Sequence, residues 1–219
     1  MRNILLSFLL IFIISCAPSR FVKPLQKNEQ TLSLSFGGPL INFNKIPMPI
    51  PLSTLCYAYG ITNQTTSFGS IHTTSLLFGN FQTDLGIVQS LRKNDSIWGI
   101  SISPAFQIIY NFRNKTGFKI WPSLEANVYY KLPNSTNYLY LGNSNWMEFS
   151  KYKAHGEKQN TLVLPDIHLG WLTNSKKWNH QIEIKYIAPG INNLPNVVPY
   201  IGINHKGTLG IYYNITFKF

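Results

Sequence analysis

From residue 30 to the C-terminus, apolar and polar residues alternate along the chain with a period of two. The final segment shows this most clearly, because every second residue is apolar and the residues between them are mostly polar. The apolar row is Leu209, Ile211, Tyr213, Ile215, Phe217 and Phe219, and the polar row is Thr208, Gly210, Tyr212, Asn214, Thr216 and Lys218. Successive side chains of a β-strand point to opposite faces of a sheet, so these segments are predicted to be strands with one apolar face.

Turn-forming residues separate the alternating segments and divide the chain into ten predicted strands. They cover about residues 30–37, 53–62, 66–77, 80–91, 96–112, 117–131, 137–148, 160–172, 178–188 and 207–219. No stretch after residue 20 has a convincing helical period. The chain is therefore predicted to be all-β, a closed antiparallel up-and-down barrel of about 10 strands, with 8–12 as the range.

Alternation by itself leaves open which face of the barrel is inside. A soluble, lipocalin-like barrel turns its apolar face inward, whereas a transmembrane barrel turns it outward. Aromatic residues lie near both ends of the apolar rows, as Trp98 and Tyr110 do. Twelve residues of a tilted strand span about 30 Å, close to the separation of the two aromatic girdles of a membrane barrel. Short turns on one side and three long loops on the other, 38–52, 149–159 and 189–206, also favour a transmembrane barrel.

The composition agrees with a surface that faces lipid. Charged residues make up only 12% of the chain, about half the usual share in soluble proteins. The net charge of +11 reflects the presence of only eight acidic residues, and no basic run forms a phosphate-binding stripe. We therefore expect no nucleic-acid partner, and we expect attraction to anionic lipid head groups instead. Loop 149–159 carries Lys151, Lys153 and Lys158, which are candidates for contact with lipopolysaccharide phosphates, and the alternative is a solvated or self-packed loop.

The first residues are typical of an export signal. Met1-Arg2-Asn3 is a short positive region, and the apolar run Ile4–Ile14 is too short to span a bilayer as a helix. The run ends in Ile13-Ile14-Ser15-Cys16, which resembles the lipobox of bacterial lipoproteins. That resemblance implies a signal peptide over 1–15, acylation of Cys16, and export to the outer membrane, because Ala17 is not a retention residue. Residues 16–29 are then the acylated cysteine and a polar tether, and 30–219 are the barrel.

The whole chain thus resembles small lipid-anchored bacterial outer-membrane β-barrel proteins as a class, without matching a particular family. The resemblance rests on the lipobox, on the strand rhythm and on the terminal Phe219. A last strand that ends in Phe resembles the signal read by the barrel assembly machinery, which implies that machinery as a partner.

Three prolines conflict with this picture. Pro104, Pro122 and Pro165 lie within predicted strands, where a proline cannot donate a ladder hydrogen bond. We expect β-bulges at these positions, or strand boundaries that are shifted by a few residues.

Several ionisable residues fall on the predicted lumen face. They are Asp84, Lys119, Glu125, Asp166, His168, Glu183, Lys185 and Lys218. Isolated charges in a narrow lumen are costly, so these side chains are expected to pair in a structural network. The alternative is that they line a selective pore or contact a ligand.

Asp166 and His168 are also the only candidates for catalysis, because an Asp that orients a His can serve a general base. No nucleophile is distinguishable among the many serines, so enzymatic activity remains uncertain and is not the favoured hypothesis. No histidine has metal-like spacing with another ligand, and no nucleotide-binding motif occurs, so no metal site and no cofactor are predicted.

Three functional hypotheses follow. The first is a non-enzymatic outer-membrane barrel lipoprotein with a structural, adhesive or small-solute role. The second is an outer-membrane enzyme that modifies lipid or peptide at Asp166 and His168. The third is a periplasmic lipocalin-like lipoprotein that binds an apolar ligand. The oligomeric state does not follow from the sequence.

Overall fold

In a computed structural model, residues 21–92, 97–112, 117–150, 158, 161–193 and 198–219 are described. The strands are β1 (Gln30–Phe43), β2 (Ile46–Pro49), β3 (Leu52–Thr62), β4 (Thr65–His72), β5 (Asn80–Ser90), β6 (Trp98–Asn111), β7 (Phe118–Lys131), β8 (Tyr138–Met147), β9 (Val163–Leu172), β10 (Trp178–Asn192) and β11 (Lys206–Lys218). Within these ranges, every strand except β2 pairs antiparallel with two neighbours in the barrel, where β11 pairs with β1, and β2 pairs only with the far end of β1. The predicted closed barrel of ten strands is confirmed.

The apolar face of the barrel points outward. Phe106, Leu141 and Ile184 are each more than half exposed, whereas Ser101 and Asn127, on the opposite face of their strands, are almost completely buried. A soluble lipocalin-like barrel has the reverse arrangement, so the sequence alternative with an inward apolar face is wrong. The outer belt is a surface suited to hydrocarbon, as in a transmembrane barrel.

The two ends of the barrel differ, as the loop lengths predict. At one end, here called the turn end, the connections are 63–64, 91–97, 132–137 and 173–177, and the C-terminus lies at the same end. At the other end, here called the loop end, residues 148–162 and 193–205 form the longest connections. The loop end also carries β2 and a short helix, α1 (Thr73–Leu77).

The hairpin of β1 and β2 extends the barrel at the loop end. Asn44 and Lys45, at the turn between the two strands, both have positive φ, 49° and 67°, which is typical of a two-residue type I′ turn. β2 is an edge strand of sequence Ile-Pro-Met-Pro. Because Pro47 and Pro49 lack an N–H group, this edge is a poor template for pairing with another strand.

Helix α1 corrects the predicted strand 66–77. β4 ends at His72, and the five residues that follow are helical. Five residues are too few to show a 3.6-residue period, so the alternation of β4 ran on into them in the sequence. No helix in the described part of the chain is long and apolar enough to cross a membrane.

The expected bulges at the three prolines are absent. The register of β6 with β7 is unbroken past Pro104 and Pro122, and that of β8 with β9 is unbroken past Pro165. Instead, the hydrogen-bonded ladder with the strand on the other side is interrupted or absent at each proline. The β5–β6 ladder skips Pro104, the β7–β8 ladder begins after Pro122, and the β9–β10 ladder ends before Pro165. Each missing N–H group therefore falls where no ladder partner is present.

Candidate functional site

The segment 21–29 enters the barrel at the turn end, with residues 21–25 inside the lumen and residues 26–28 exposed. Val22 is 2% exposed, and Phe21 and Leu25 are also buried. Phe21 and Leu25 pack with Cys56, Ala58, Phe68 and Val88 on one side of the lumen. Val22 packs on the other side with Tyr129, Tyr138 and Tyr140. The segment therefore fills the lumen from wall to wall, and we call residues 21–29 the plug.

Polar contacts hold the plug in a defined position. The Ser101 hydroxyl donates to the carbonyl oxygen of Val22 at 2.6 Å, and the Leu25 N–H donates to the Thr66 hydroxyl at 2.8 Å. Lys218 lies 3.2 Å from Glu29, an ion pair at the base of the plug. These contacts come from strands around the barrel, so the plug is bound as part of the fold.

Gly60 is a position where the close approach of the plug excludes a side chain. Its N–H donates to the Glu29 carbonyl at 2.9 Å, and its carbonyl accepts from the Asn28 N–H at 2.8 Å. A Cβ added there would collide with the carbonyl oxygen of Gln26.

The sequence predicts a polar tether over 16–29. Within that segment, Phe21, Val22 and Leu25 are buried in the lumen, whereas residues 26–28 are exposed. Phe21, Val22 and Leu25 have no period that marks a helix or strand, so the sequence carried no signal for their burial. Only the closed barrel supplies the apolar wall they pack against. Cys16 and the predicted signal peptide lie outside the described residues.

A hydrogen-bonded network occupies the middle of the lumen. His168 lies at its centre, with Nδ1 2.7 Å from the Asp166 carboxylate and Nε2 2.8 Å from the Asn127 side-chain oxygen. The Asn127 amide donates in turn to Glu125 at 2.7 Å. A Cβ added at Gly142 would collide with both Asn127 and His168, so the absence of a side chain there makes the network possible.

The same network continues onto β10 through Lys185. Its ammonium group lies 3.6 Å from Asp166 and 3.4 Å from Glu183. Glu183 also accepts a hydrogen bond from the Tyr140 hydroxyl at 2.7 Å, and that hydroxyl accepts one from Gln181 at 2.7 Å. Buried charges of this kind are tolerated because each has an opposite charge or a donor beside it.

A second, smaller cluster lies on another part of the wall. Asp84 is 2.9 Å from His72 Nε2 and accepts a hydrogen bond from the Ser70 hydroxyl at 2.9 Å. The sequence placed Asp84 in the lumen but did not assign His72 to it.

The other two candidate lumen residues lie near the ends of the barrel. Lys218 is at the turn end with Glu29, and Lys119 is at the loop end, where its ammonium group lies 5.9 Å from the centre of the Trp121 ring. The Trp121 indole donates to Glu148 at 2.7 Å. Burial raises the pKa of Glu148, but hydrogen bonds from Ser150 and Trp121 and the charge of Lys119 outweigh it, so the pKa lies below its ordinary value.

Of the eight candidate lumen residues, the structure brings five together and separates three from them. The five are Glu125, Asp166, His168, Glu183 and Lys185, and the three are Asp84, Lys119 and Lys218.

The geometry around His168 suits a structural role better than proton transfer. The residue is 1% exposed, and both ring nitrogens are within hydrogen-bond distance of neighbouring side chains. A general base needs a ring nitrogen within reach of a substrate proton. In the described part of the chain, no group of three or more His, Cys, Asp or Glu side chains is placed to hold a metal ion.

The lumen is filled at two levels, by the plug and by the network above it. Glu183 and Thr31 are 0% exposed, and Asn127, Tyr212 and Asn214 are 1% exposed. A water-filled channel past these side chains would leave them accessible to solvent. At the level of these residues, the lumen is packed.

The fold resembles that of known outer-membrane proteins. No family model and no curated protein matches the chain. An outer membrane channel from Pseudomonas putida F1 has a TM-score of 0.52 at 8% sequence identity, with 92% of this chain and 99% of that chain covered. The NanC porin has a TM-score of 0.49 at 8% identity, with 87% and 100% covered. The first likeness shows that the chain has the fold of outer-membrane β-barrels, the class to which the sequence pointed.

Proposed function

We propose that this chain is an acylated outer-membrane barrel that does not conduct at rest and that presents an ordered extension outside the cell for structural or adhesive contacts. The packed lumen is the observation that carries the proposal. A standing pore needs a continuous aqueous path, and both the plug and the network obstruct one.

The extension consists of residues 40–49, which form the β1–β2 hairpin, and the segment 198–201 beside it. The Asn42 N–H donates to the Pro199 carbonyl, and the Ile201 N–H donates to the Leu40 carbonyl, both at 2.9 Å. These bonds brace the hairpin beyond the barrel wall.

The tip of the hairpin offers an apolar contact surface. Phe43, Ile46 and Met48 are 58%, 65% and 43% exposed, and Lys45 lies between them at the turn. Exposed apolar patches on an ordered loop are typical of contact surfaces. In the proposed orientation the turn end faces the periplasm and this tip faces outward, since outer-membrane barrels have short periplasmic turns.

A conductance measurement tests the closed lumen. The purified mature chain in a planar bilayer is expected to give no stable current steps, and deletion of residues 21–28 is expected to leave it silent because the network still blocks the lumen. Heat-modifiable migration on gels confirms that both proteins are folded. Stable steps from the intact chain would refute the proposal.

A gated channel is the second candidate, because an outer-membrane channel shares the fold and the plug is a terminal segment bound at one end of the lumen. In this case the intact chain is silent, but deletion of 21–28 produces regular current steps. The same pair of measurements therefore separates the two functions.

The adhesive role is tested on the extension itself. Cells that display the chain are expected to bind less to an apolar surface when Phe43, Ile46 and Met48 are all replaced by Ser. Leu77→Ser is the matched control, since Leu77 is 83% exposed at the loop end but lies on α1. Equal loss of binding in the control would contradict the assignment to the hairpin.

Acylation, assembly and lipid contacts complete the proposal. Labelled palmitate is expected to enter the wild-type chain but not Cys16→Ser. Removal of Phe219 is expected to lower the yield of assembled barrel, as for a substrate of the barrel assembly machinery. Lys45, Lys158 and Lys206 are exposed at or near the loop end and are placed to meet lipopolysaccharide phosphates.

A further inference from the structure

Two asparagines lie on the outer, lipid-facing side of β8. Along this strand Tyr138, Tyr140 and Gly142 are buried in the lumen, whereas Leu139 and Leu141 are exposed. The pairing of β8 with both neighbours continues without a register shift, so Asn143 and Asn145 are on the same outer face as the two leucines.

Both asparagines are near the middle of the apolar belt. The outward row of β7 runs from Phe118 to Tyr130, and Leu124 is its central member. Asn145 is the direct cross-strand neighbour of Leu124, and Asn143 is that of Ala126. Elsewhere on the outer face of the described strands, side-chain amides lie toward the ends of the belt, as Gln89 does near the turn end.

The hydrogen bonds of this pair are incomplete. The Asn143 amide donates to the Asp166 carbonyl at 2.6 Å, and the Asn145 amide donates to the Asn143 side-chain oxygen at 2.5 Å. Among the described residues, the Asn145 side-chain oxygen accepts no hydrogen bond. Hydrocarbon supplies no donor, so a polar group at this depth favours a protein partner.

Each asparagine has one small and one large neighbour on the adjacent strands. Asn143 lies between Ala126 and Ile167, and Asn145 lies between Leu124 and Pro165. Beside each asparagine, the smaller neighbour leaves room for another chain to approach closely within the membrane.

We propose that this outer face of β7, β8 and β9 binds a second copy of the chain in the membrane. A two-fold axis along the membrane normal keeps both barrels in the same orientation and brings residues of equal depth together. An amide both donates and accepts, so Asn145 meets in its symmetry mate the donor that its own chain does not supply. The inference is independent of whether the lumen conducts.

The test measures association of the mature chain in lipid bilayers, by single-molecule photobleaching over a range of protein-to-lipid ratios. The wild type is expected to dimerise, and Asn143→Leu/Asn145→Leu is expected to weaken dimerisation at least tenfold. Both substitutions place Leu on a lipid-facing surface, so the barrel still folds. Gln89→Leu is the matched control, since it removes an outward amide from another wall, and it is expected to dimerise like the wild type.

Cross-linking locates the interface. Leu141→Cys, beside the pair on β8, is expected to form a disulfide-linked dimer, whereas Ile184→Cys on the outer face of β10 is not. A wild-type chain that is monomeric at every ratio, or an asparagine double variant that dimerises as well as the wild type, would overturn the proposal. Cross-linking through Ile184→Cys alone would also overturn it.

Discussion

Lys185 is the residue whose removal should be most costly to the barrel. It is 3% exposed, and its ammonium group is the cation that lies between Asp166 and Glu183. Lys185→Met keeps most of the volume of the side chain but leaves two carboxylates in the lumen without this counterion. Removal of one partner from a buried ion pair costs about 3–5 kcal/mol. This corresponds to about a hundredfold or greater loss in the folding equilibrium constant.

The assay is reversible urea unfolding of the chain in lipid vesicles, with the free energy of unfolding taken from the transition. Lys218→Met is the matched control, because Lys218 pairs with Glu29 near the turn end and both side chains are partly exposed. An ion pair with solvent access contributes about 0–1 kcal/mol, so this variant should unfold nearly as the wild type does.

A compensated variant separates unpaired charge from lost packing. Replacement of all three groups, as Lys185→Met/Glu183→Gln/Asp166→Asn, removes the charges together and should recover much of the lost stability. If Lys185→Met alone unfolds within about 1 kcal/mol of the wild type, the assignment of this network as a buried structural ion-pair cluster is refuted.

Three further predictions concern the lumen and the loop end. Gly142→Ala should destabilise the barrel by about 1–3 kcal/mol through collision with the network. Gly69→Ala should cost less in the same urea titration, because its added Cβ comes close to the end of the Leu85 side chain and otherwise makes an ordinary contact with the Asp84 carbonyl oxygen. Tyr140→Phe should cost about 1.5–3 kcal/mol, because its hydroxyl donates to a carboxylate, and a loss below about 0.5 kcal/mol would contradict that bond. The lowered pKa of Glu148 means that its contribution to stability is present above its ordinary pKa of 4.5 and is lost as the pH falls through the lower pKa of the folded state. Glu148→Gln should abolish this acid-dependent component of the urea midpoint, and an unchanged pH profile would show that it has another origin.

The strand content was predictable because alternation is a local property. In β6 and β11, each residue faces lipid or lumen according to its position alone, and the predicted faces match the observed burial. The prolines were misinterpreted because the sequence shows that an N–H group is missing but not toward which neighbouring strand it would have pointed. That direction depends on how far each ladder extends, as at Pro104.

The candidate network was predictable as a set of lumen residues and, within β9, as the pair Asp166 and His168, but its contacts between strands were not. Alternation places Asp84 and Asp166 equally in the lumen, yet Asp84 meets His72 on β4 and Asp166 meets Lys185 on β10. Those two partners depend on which strands are neighbours and at what register. Inward position and contacts two residues apart are decided within a strand, whereas the other contacts are decided between strands.

By itself, the sequence determined that the chain forms ten strands, that each has one apolar face, and that their connections are short at one end and long at the other. Only the tertiary structure decided that the barrel is filled. The plug residues Phe21 and Val22 lie in a segment without periodicity. Their burial requires the inner wall of the barrel, which forms only when the pairing of β11 with β1 closes the sheet. The physical reason is that strand patterns come from the geometry of successive residues, whereas the filling of a lumen depends on contacts between residues far apart in the chain.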